Sequence, residues 1–152
     1  MFELMRSLTL DAAAGLATGE AVVPVEHPML VDHFPGAPTL PGSWLIELAA
    51  QVAGPLAEEM IKHRHGLERW AMLGMIREAK FLRPSPLPAT LHFTAEALRA
   101  EPSNVAIKVA VRNEKESVMR AELIMTMLAA STDWTEAIRA RHERLARWRV
   151  AP

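Results

Sequence analysis

The sequence contains neither cysteine nor tyrosine. The lack of cysteine excludes disulfides, thiolate metal ligands and cysteine nucleophiles, and the lack of tyrosine excludes a phenolic acid. Any chemistry must therefore come from His, Asp, Glu, Ser, Thr, Lys or backbone amides. No metal site is expected, because His63 and His65 at a probable helix end do not face each other at a spacing of i and i+2.

A strong net charge and a long apolar run are also missing. The formal net charge is -1 over 152 residues, which gives no sign of a nucleic-acid-binding surface. The apolar stretches are interrupted before they could span a bilayer, and the N-terminus lacks a basic segment followed by an apolar core. We expect one globular domain in the cytoplasm, with no nucleic-acid or membrane partner.

Proline and glycine are concentrated between residues 28 and 42. They predict a stiff loop, because proline fixes φ and removes a backbone donor. The segment that follows, "SWLIELAAQVAGPLAEEMIKH", is apolar nearly all the way round and indicates a helix with little solvent exposure. Pro41 suits its first turn, and Pro55 is expected to kink or tighten it.

Alternating apolar residues predict strands on both sides of this helix. A short pair is expected at 6–11 and 17–25, with Pro24 making the second one an edge or an interrupted strand. Four longer strands are predicted at 70–82, 89–99, 104–112 and 117–129. Their turn-forming connections favour an antiparallel meander, so the fold class is α+β, with a sheet that wraps one long helix.

The tail is predicted to be a separate element. We assign residues 1–130 to one domain and 131–152 to a C-terminal amphipathic helix packed on it. Asp133 and Glu136 have the spacing of a capping box. The arginines of this helix are expected to point outward. Its apolar side consists of Trp134, Ile138, Leu145 and Trp148.

Two proton-carrying side chains lie close to each other in the sequence. Glu47 shares a polar stripe with Ser43 and Gln51, at i, i+4 and i+8 of the central helix. It is either a surface acid, or one paired with an arginine, or a buried group whose pKa is raised to hold a proton. His33 precedes the helix N-terminus, which offers free N–H groups. Together they suit proton abstraction next to a carbonyl.

The stretch "HFPGAPTLPGSWLIELAAQ", residues 33–51, resembles the active-site signature of the β-hydroxyacyl-acyl-carrier-protein dehydratases of the FabZ and FabA type. A weaker likeness continues through "REAKFLRPSPLPATLHFTAEAL", and the whole covers about residues 22–128. The resemblance implies the hotdog fold, in which a six-stranded antiparallel sheet wraps a long central helix. It also implies a dimer whose two sites lie at the interface.

The resemblance assigns a role to individual residues. His33 corresponds to the catalytic histidine, Glu47 to the acid from the other subunit, and the N–H of Gly42 to the group that polarises the thioester carbonyl. Trp44 stands where the family has a smaller apolar residue and is expected to narrow the acyl tunnel. Arg77, Lys80 and Arg83 form a candidate cationic rim for a phosphopantetheine phosphate, although ordinary strand-edge charges are an open alternative. The substrate-binding candidates are Phe34, Thr39, Trp44, Gln51, Lys80 and Arg83.

The implied activity is removal of water from (3R)-3-hydroxyacyl thioesters on acyl carrier protein, giving trans-2-enoyl thioesters in fatty-acid or specialised polyketide or polyene synthesis. No cofactor is expected beyond the phosphopantetheine that carries the substrate. The expected assembly is a homodimer, a higher oligomer such as a trimer of dimers, or a heterodimer with a related dehydratase. A hotdog acyl thioesterase and a non-catalytic or partly catalytic subunit remain open alternatives.

Overall fold

One long helix, α1 (Gly42–His65), is the centre of the fold. The computed structural model describes residues 3–30, 32–129 and 131–151. The helix begins after Pro41 and runs continuously through Pro55. It ends at Gly66, which adopts a left-handed φ of 66° and whose N–H donates to the carbonyl of Lys62. Glycine tolerates this conformation without steric cost, which explains where the helix stops.

Six antiparallel strands form one sheet around α1, in the order β1-β2-β4-β5-β6-β3. The strands are β1 (Met5–Asp11), β2 (Leu16–Val23), β3 (Arg69–Phe81), β4 (Ala89–Glu101), β5 (Asn104–Arg112) and β6 (Ser117–Ala129). The meander prediction holds for β4, β5 and β6 but is wrong for β3, which pairs with β6 at the far edge. The intervening 82–88 segment carries three prolines and bridges to Thr39 at Pro86 instead of forming a hairpin.

The second strand differs from its prediction as well. β2 lies between β1 and β4, so it is not an edge strand. It ends at Val23, directly before Pro24. A proline cannot donate to the sheet ladder, so Pro24 terminates the strand without occupying it.

The core lies between α1 and the concave face of the sheet. Alternate residues of β4, β5 and β6 are buried, while their neighbours face outward. Each large apolar side chain buried here contributes about 1.5–3 kcal/mol. The six-stranded antiparallel sheet around one long helix confirms the hotdog arrangement that the resemblance implied. The largest fully buried side chains include Phe93, Leu48, Leu56, Met60, Ile107, Leu123 and Met125.

The C-terminal segment forms a short 3-10 turn (Thr132–Trp134) and then α2 (Thr135–Trp148). Trp148 is buried, and Leu145 packs against the core. Beyond α2, the N–H of Val150 donates to the carbonyl of Leu8 over 2.9 Å, so the chain extends the β1 edge. Among the described residues, no helix has both the length and the apolar character needed to span a membrane.

Two details of the predicted tail are wrong. The N-cap residue of α2 is Trp134, where no described side chain forms a cap hydrogen bond, and Asp133 lies within the 3-10 turn, before the cap position. The arginines do not all point outward, since Arg141 turns inward and forms an ion pair with Glu58. Amphipathic spacing does not distinguish an arginine in solvent from one that finds a buried acid.

Candidate active site

The loop before α1 holds His33 through a closed set of backbone hydrogen bonds. The N–H of His33 donates to Leu30 over 3.0 Å, and the N–H of Thr39 donates to His33 over 2.9 Å. The loop is also tied to the segment after β3, because the N–H of Leu40 donates to the carbonyl of Ser85 over 2.8 Å. Prolines and these bonds together fix the backbone on which the histidine stands.

The imidazole of His33 is oriented by its own loop. Its Nδ1 lies 3.3 Å from the carbonyl oxygen of Thr39. A carbonyl oxygen can only accept, so Nδ1 carries the hydrogen and the neutral ring keeps its lone pair on Nε2. Phe34, 58% exposed, has its ring centroid 4.6 Å from that of His33. The arrangement presents a base whose tautomer is set by a backbone group.

The other two candidates near this loop also have defined neighbours. The hydroxyl of Thr39 donates to the carbonyl of Ala37 over 3.0 Å. Trp44 is buried in the first turn of α1 and meets His27 edge-on at 4.9 Å. These contacts locate the two side chains, while their assignment to substrate binding stays a prediction.

Gly42 is the first residue of α1 and packs against the end of β3. A Cβ at this position would lie 2.8 Å from Cε1 of Phe81, which is closer than carbon atoms approach, so a larger residue here would displace that ring. The first N–H groups of a helix have no partner within it and lie at the positive end of its dipole. Within the described ranges no residue accepts a hydrogen bond from the Gly42 N–H. The assignment of this N–H to a ligand carbonyl stays a prediction.

Glu47 and Gln51 lie one turn apart on α1 and are hydrogen-bonded. Gln51 Nε2 donates to Glu47 Oε1 over 2.9 Å. Glu47 is exposed in the single chain, which corresponds to the surface-acid alternative, and no described arginine is seen to form an ion pair with it. Gln51 Oε1 is buried, and no described residue donates to it. No hydrogen bond joins His33 to Glu47 within the described chain.

A cavity of about 260 Å³ adjoins Glu47, and we call it the acid-side cavity. Three elements line it, namely α1, the sheet and α2, and it is partly open to solvent. Its walls combine apolar and aromatic groups with two arginines, a composition common in small-molecule sites. The part of α2 in this cavity could not be recognised from the sequence, in which the apolar side of the tail helix indicates only packing. The lining residues are Glu47, Ala50, Gln51, Pro55, Trp70, Ala71, Leu73, Met125, Arg141, Arg144, Leu145 and Trp148.

Arg141 and Glu58 form an ion pair beside this cavity. Arg141 Nη2 lies 3.0 Å from Glu58 Oε1, with side chains 19% and 14% exposed. Burial raises the pKa of Glu58 even though Arg141 and the Ala71 N–H act to lower it. Burial likewise lowers the pKa of Arg141, against the opposite effect of Glu58. Desolvation is the largest cause of the pKa shift in both partners. The ion pair therefore positions α2 against α1 more than it adds to the net stability of the fold.

Each of the three cations in the proposed rim forms an ion pair with an acidic side chain. Lys80 lies 3.0 Å from Glu78 and Arg83 lies 3.3 Å from Glu116. Arg77 is paired with Glu122. All three cations are well exposed, and such exposed pairs are weak enough to exchange partners. Their assignment to carrier-protein or phosphate binding stays a prediction.

β3 and the residue that follows it carry several exposed apolar side chains. This strand is an edge of the sheet, and within the described residues its outer backbone has no strand partner. Exposed edges of this kind pair readily with another chain. Gly42 touches Phe81 at one end of the strand, so the helix N-terminus lies next to this edge. The exposed set is Met72, Leu73, Met75, Ile76, Phe81 and Leu82.

The chain is similar to known dehydratases along most of its length. Residues 1–122 match the family model of the FabA-like domain. The chain is 30% identical over 136 residues to the 3-hydroxyacyl-[acyl-carrier-protein] dehydratase FabZ of Zymomonas mobilis, covering 86% of this chain and 78% of that protein. The FabZ of Syntrophobacter fumaroxidans is 28% identical over 127 residues, covering 83% and 82%.

Solved structures show the same fold at low sequence identity. The smu.793 protein of Streptococcus mutans, bound to acetyl CoA, has a TM-score of 0.65 at 15% identity and covers 87% of this chain and 94% of that one. A hypothetical thioesterase of Streptococcus pneumoniae with coenzyme A has a TM-score of 0.56 at 15% identity, covering 78% and 85%. These likenesses show the hotdog fold alone.

Proposed function

Because the chain belongs to the family of FabA-like domains, the hotdog dehydratases that include FabZ, we propose that it removes water from (3R)-3-hydroxyacyl thioesters carried on the phosphopantetheine of an acyl carrier protein. The observation that carries the proposal is the His33 tautomer: Nδ1 faces the carbonyl of Thr39, and Nε2 is left as a base. The substrate thioester itself acidifies the C2 proton, so the proposal requires no further cofactor.

His33 and Glu47 have separate roles in the proposed reaction. Nε2 of His33 accepts the C2 proton, and the C2–H electron pair forms the C2=C3 double bond. The C3–O bond breaks as Glu47, in its protonated form, donates a proton to the departing hydroxyl, which leaves as water. The N–H of Gly42 donates to the thioester oxygen, where negative charge develops. A proton then returns from His33 to Glu47 through solvent.

The proposal requires two copies of the chain. His33 and Glu47 are not hydrogen-bonded within one chain, and β3 leaves an apolar edge beside Gly42. Pairing of two β3 edges would cover these side chains and bring His33 of one copy toward Glu47 of the other. We therefore propose that the active unit is a dimer with two composite sites. Gln51 would hold the acid through the hydrogen bond that it donates to Glu47.

Thioester hydrolysis is the second candidate. It is favoured by one observation: Glu47 is exposed and oriented by Gln51, so its carboxylate has the access that a base activating water would need. Hydrolysis would use Glu47 as a carboxylate, whereas dehydration uses it as an acid. The two chemistries also differ in their product, since only hydrolysis releases a thiol.

One assay separates the two. The purified protein is incubated with crotonyl-pantetheine, and loss of the enoyl-thioester absorbance is followed beside release of thiol, read with a thiol-reactive dye. The chain has no cysteine, so the dye reports substrate alone. Dehydratase chemistry predicts hydration to the 3-hydroxybutyryl thioester without thiol release. Thiol release with no hydrated product would establish the thioesterase instead, and an inert protein would favour a non-catalytic subunit.

A further inference from the structure

We propose that α2 closes the acid-side cavity into a pocket for the distal end of the acyl chain, so that Leu145 and Trp148 set the longest chain that the site accepts. The inference rests on the proposed function and adds a substrate class, short-chain 3-hydroxyacyl thioesters. It assigns the C-terminal helix a part in specificity.

The position of Glu47 dictates where the acyl chain must go. In the proposed reaction Glu47 meets the hydroxyl on C3, so C4 and the atoms beyond it lie within a few bond lengths of this carboxyl group. The acid-side cavity adjoins Glu47 and continues along Ala50, Leu73 and Leu145. An alkyl chain gains free energy from such walls, about 0.8 kcal/mol for each methylene that leaves water.

The wall that α2 provides is anchored in its middle. Arg141 pairs with Glu58 on α1 and donates to the carbonyl of Ala71 over 3.4 Å. Its guanidinium carbon also lies 4.7 Å from the ring centroid of Trp70, within the range of a cation–π interaction. Leu145 follows one turn later on the same helix. The Arg141 contacts therefore fix the position of the cavity wall.

The wall is anchored at its end as well. Trp148 is buried, and the N–H of Val150 donates to the carbonyl of Leu8 at the β1 edge. A helix held at both places does not yield easily to a longer ligand. Since the cavity is smaller than the ~300–1,000 Å³ of most small-molecule sites, we infer that it accepts short acyl chains and rejects long ones.

The test compares chain-length profiles of the full-length protein. Leu145→Ala enlarges the cavity and Ala50→Leu fills it, while Ala140→Leu makes the same addition at an exposed position on α2 outside the lining. The kcat/KM is measured for 3-hydroxybutyryl- and 3-hydroxydodecanoyl-pantetheine. We expect the unchanged protein to prefer the butyryl substrate. Leu145→Ala should raise the dodecanoyl-to-butyryl ratio about tenfold, and Ala50→Leu should lower it, since one pocket group changes discrimination by about 10–200-fold. Ala140→Leu should leave the ratio unchanged.

The outcomes keep the two proposals apart. If the unchanged protein dehydrates these substrates but neither cavity variant alters the ratio, both variants having melting temperatures that show them to be folded, the inference about α2 is overturned and the dehydratase proposal stands. If no chain length is dehydrated, the proposed function fails. Affinities of the matching saturated acyl-pantetheine amides then provide the same ratio without chemistry, and equal ratios in all variants overturn the α2 inference too.

Discussion

Nδ1 of His33 lies 3.3 Å from the carbonyl oxygen of Thr39, six residues further along the same loop. The loop thus supplies both the imidazole and the group that determines its tautomer. The loop backbone is held in place as well, because the N–H of Thr39 donates to the carbonyl of His33 over 2.9 Å. A histidine held this way does not depend on a second side chain for its orientation.

His33→Ala should reduce kcat/KM for dehydration by about 10²–10⁴-fold, the usual contribution of a general base. His92→Ala is the matched control, because His92 is an exposed histidine on β4 whose nearest acid is Glu20, at 3.6 Å. Steady-state rates of both variants decide the matter. Equal activity of the two variants would show that His33 is not the general base.

Gly42→Ala should lower activity through a steric effect, since alanine keeps the N–H but places a Cβ 2.8 Å from the Phe81 ring. Phe81 is 53% exposed, so the ring can move, and we expect the fold to survive. Adding Phe81→Ala removes the obstruction. The double variant should therefore be more active than Gly42→Ala alone, and strict additivity of the two losses would rule out the steric explanation.

Arg141→Met should lower the free energy of unfolding by about 3 kcal/mol, because it leaves Glu58 as a buried acid without its cation. Arg139→Met changes an exposed arginine of the same helix and should cost less than about 0.5 kcal/mol. Urea unfolding followed by tryptophan fluorescence measures both. If the two variants were equally stable, α2 would not be anchored through Arg141.

The raised pKa of Glu58 predicts a pH dependence of definite sign. Between its ordinary value of 4.5 and the raised folded value, the folded state holds a proton that the unfolded state has lost. Stability therefore falls as the pH rises through this window. Glu58→Gln removes that contribution, so the stability of the unchanged protein relative to Glu58→Gln should decline from pH 4.5 upward. A relative stability that increased over the same range would contradict the desolvation of Glu58.

The sequence predicted those parts of the fold that local chemistry decides. Alternation gave the strands to within a few residues, and Pro41 and the apolar run gave α1. It did not predict that β3 pairs with β6, because strand order depends on how the 82–88 segment folds back on Thr39. The contact of Arg141 with Glu58 was missed for a similar reason, since periodicity reveals a helix face but not its distant partner.

The candidate site also has features that the local sequence predicts and features that depend on the tertiary structure. A local motif places His33, Gly42 and Glu47 on one loop and one helix, and the structure adds the hydrogen bonds that orient two of them. The exposure of Glu47 could not be predicted from the apolar residues around it, because it depends on which distant elements of the fold cover this face of α1. The cavity walls from α2 required the tertiary structure.

A site composed of His33 from one subunit and Glu47 from the other can be tested by mixing subunits. His33→Ala and Glu47→Gln should each be inactive alone. In a mixed dimer one site combines an intact His33 with an intact Glu47, and the other site carries both lesions. Random exchange makes about half of the dimers mixed, so roughly a quarter of the unmutated activity is the ceiling for two independent sites.

The decisive measurement is the dehydration rate of an equimolar mixture of His33→Ala and Glu47→Gln after co-refolding, with subunit exchange verified by mass spectrometry of the intact dimers. If the site is composite, the activity should rise from the background of the separate variants toward a quarter of that of the unmutated protein. A mixture that stays at background although mixed dimers are present would contradict the composite site.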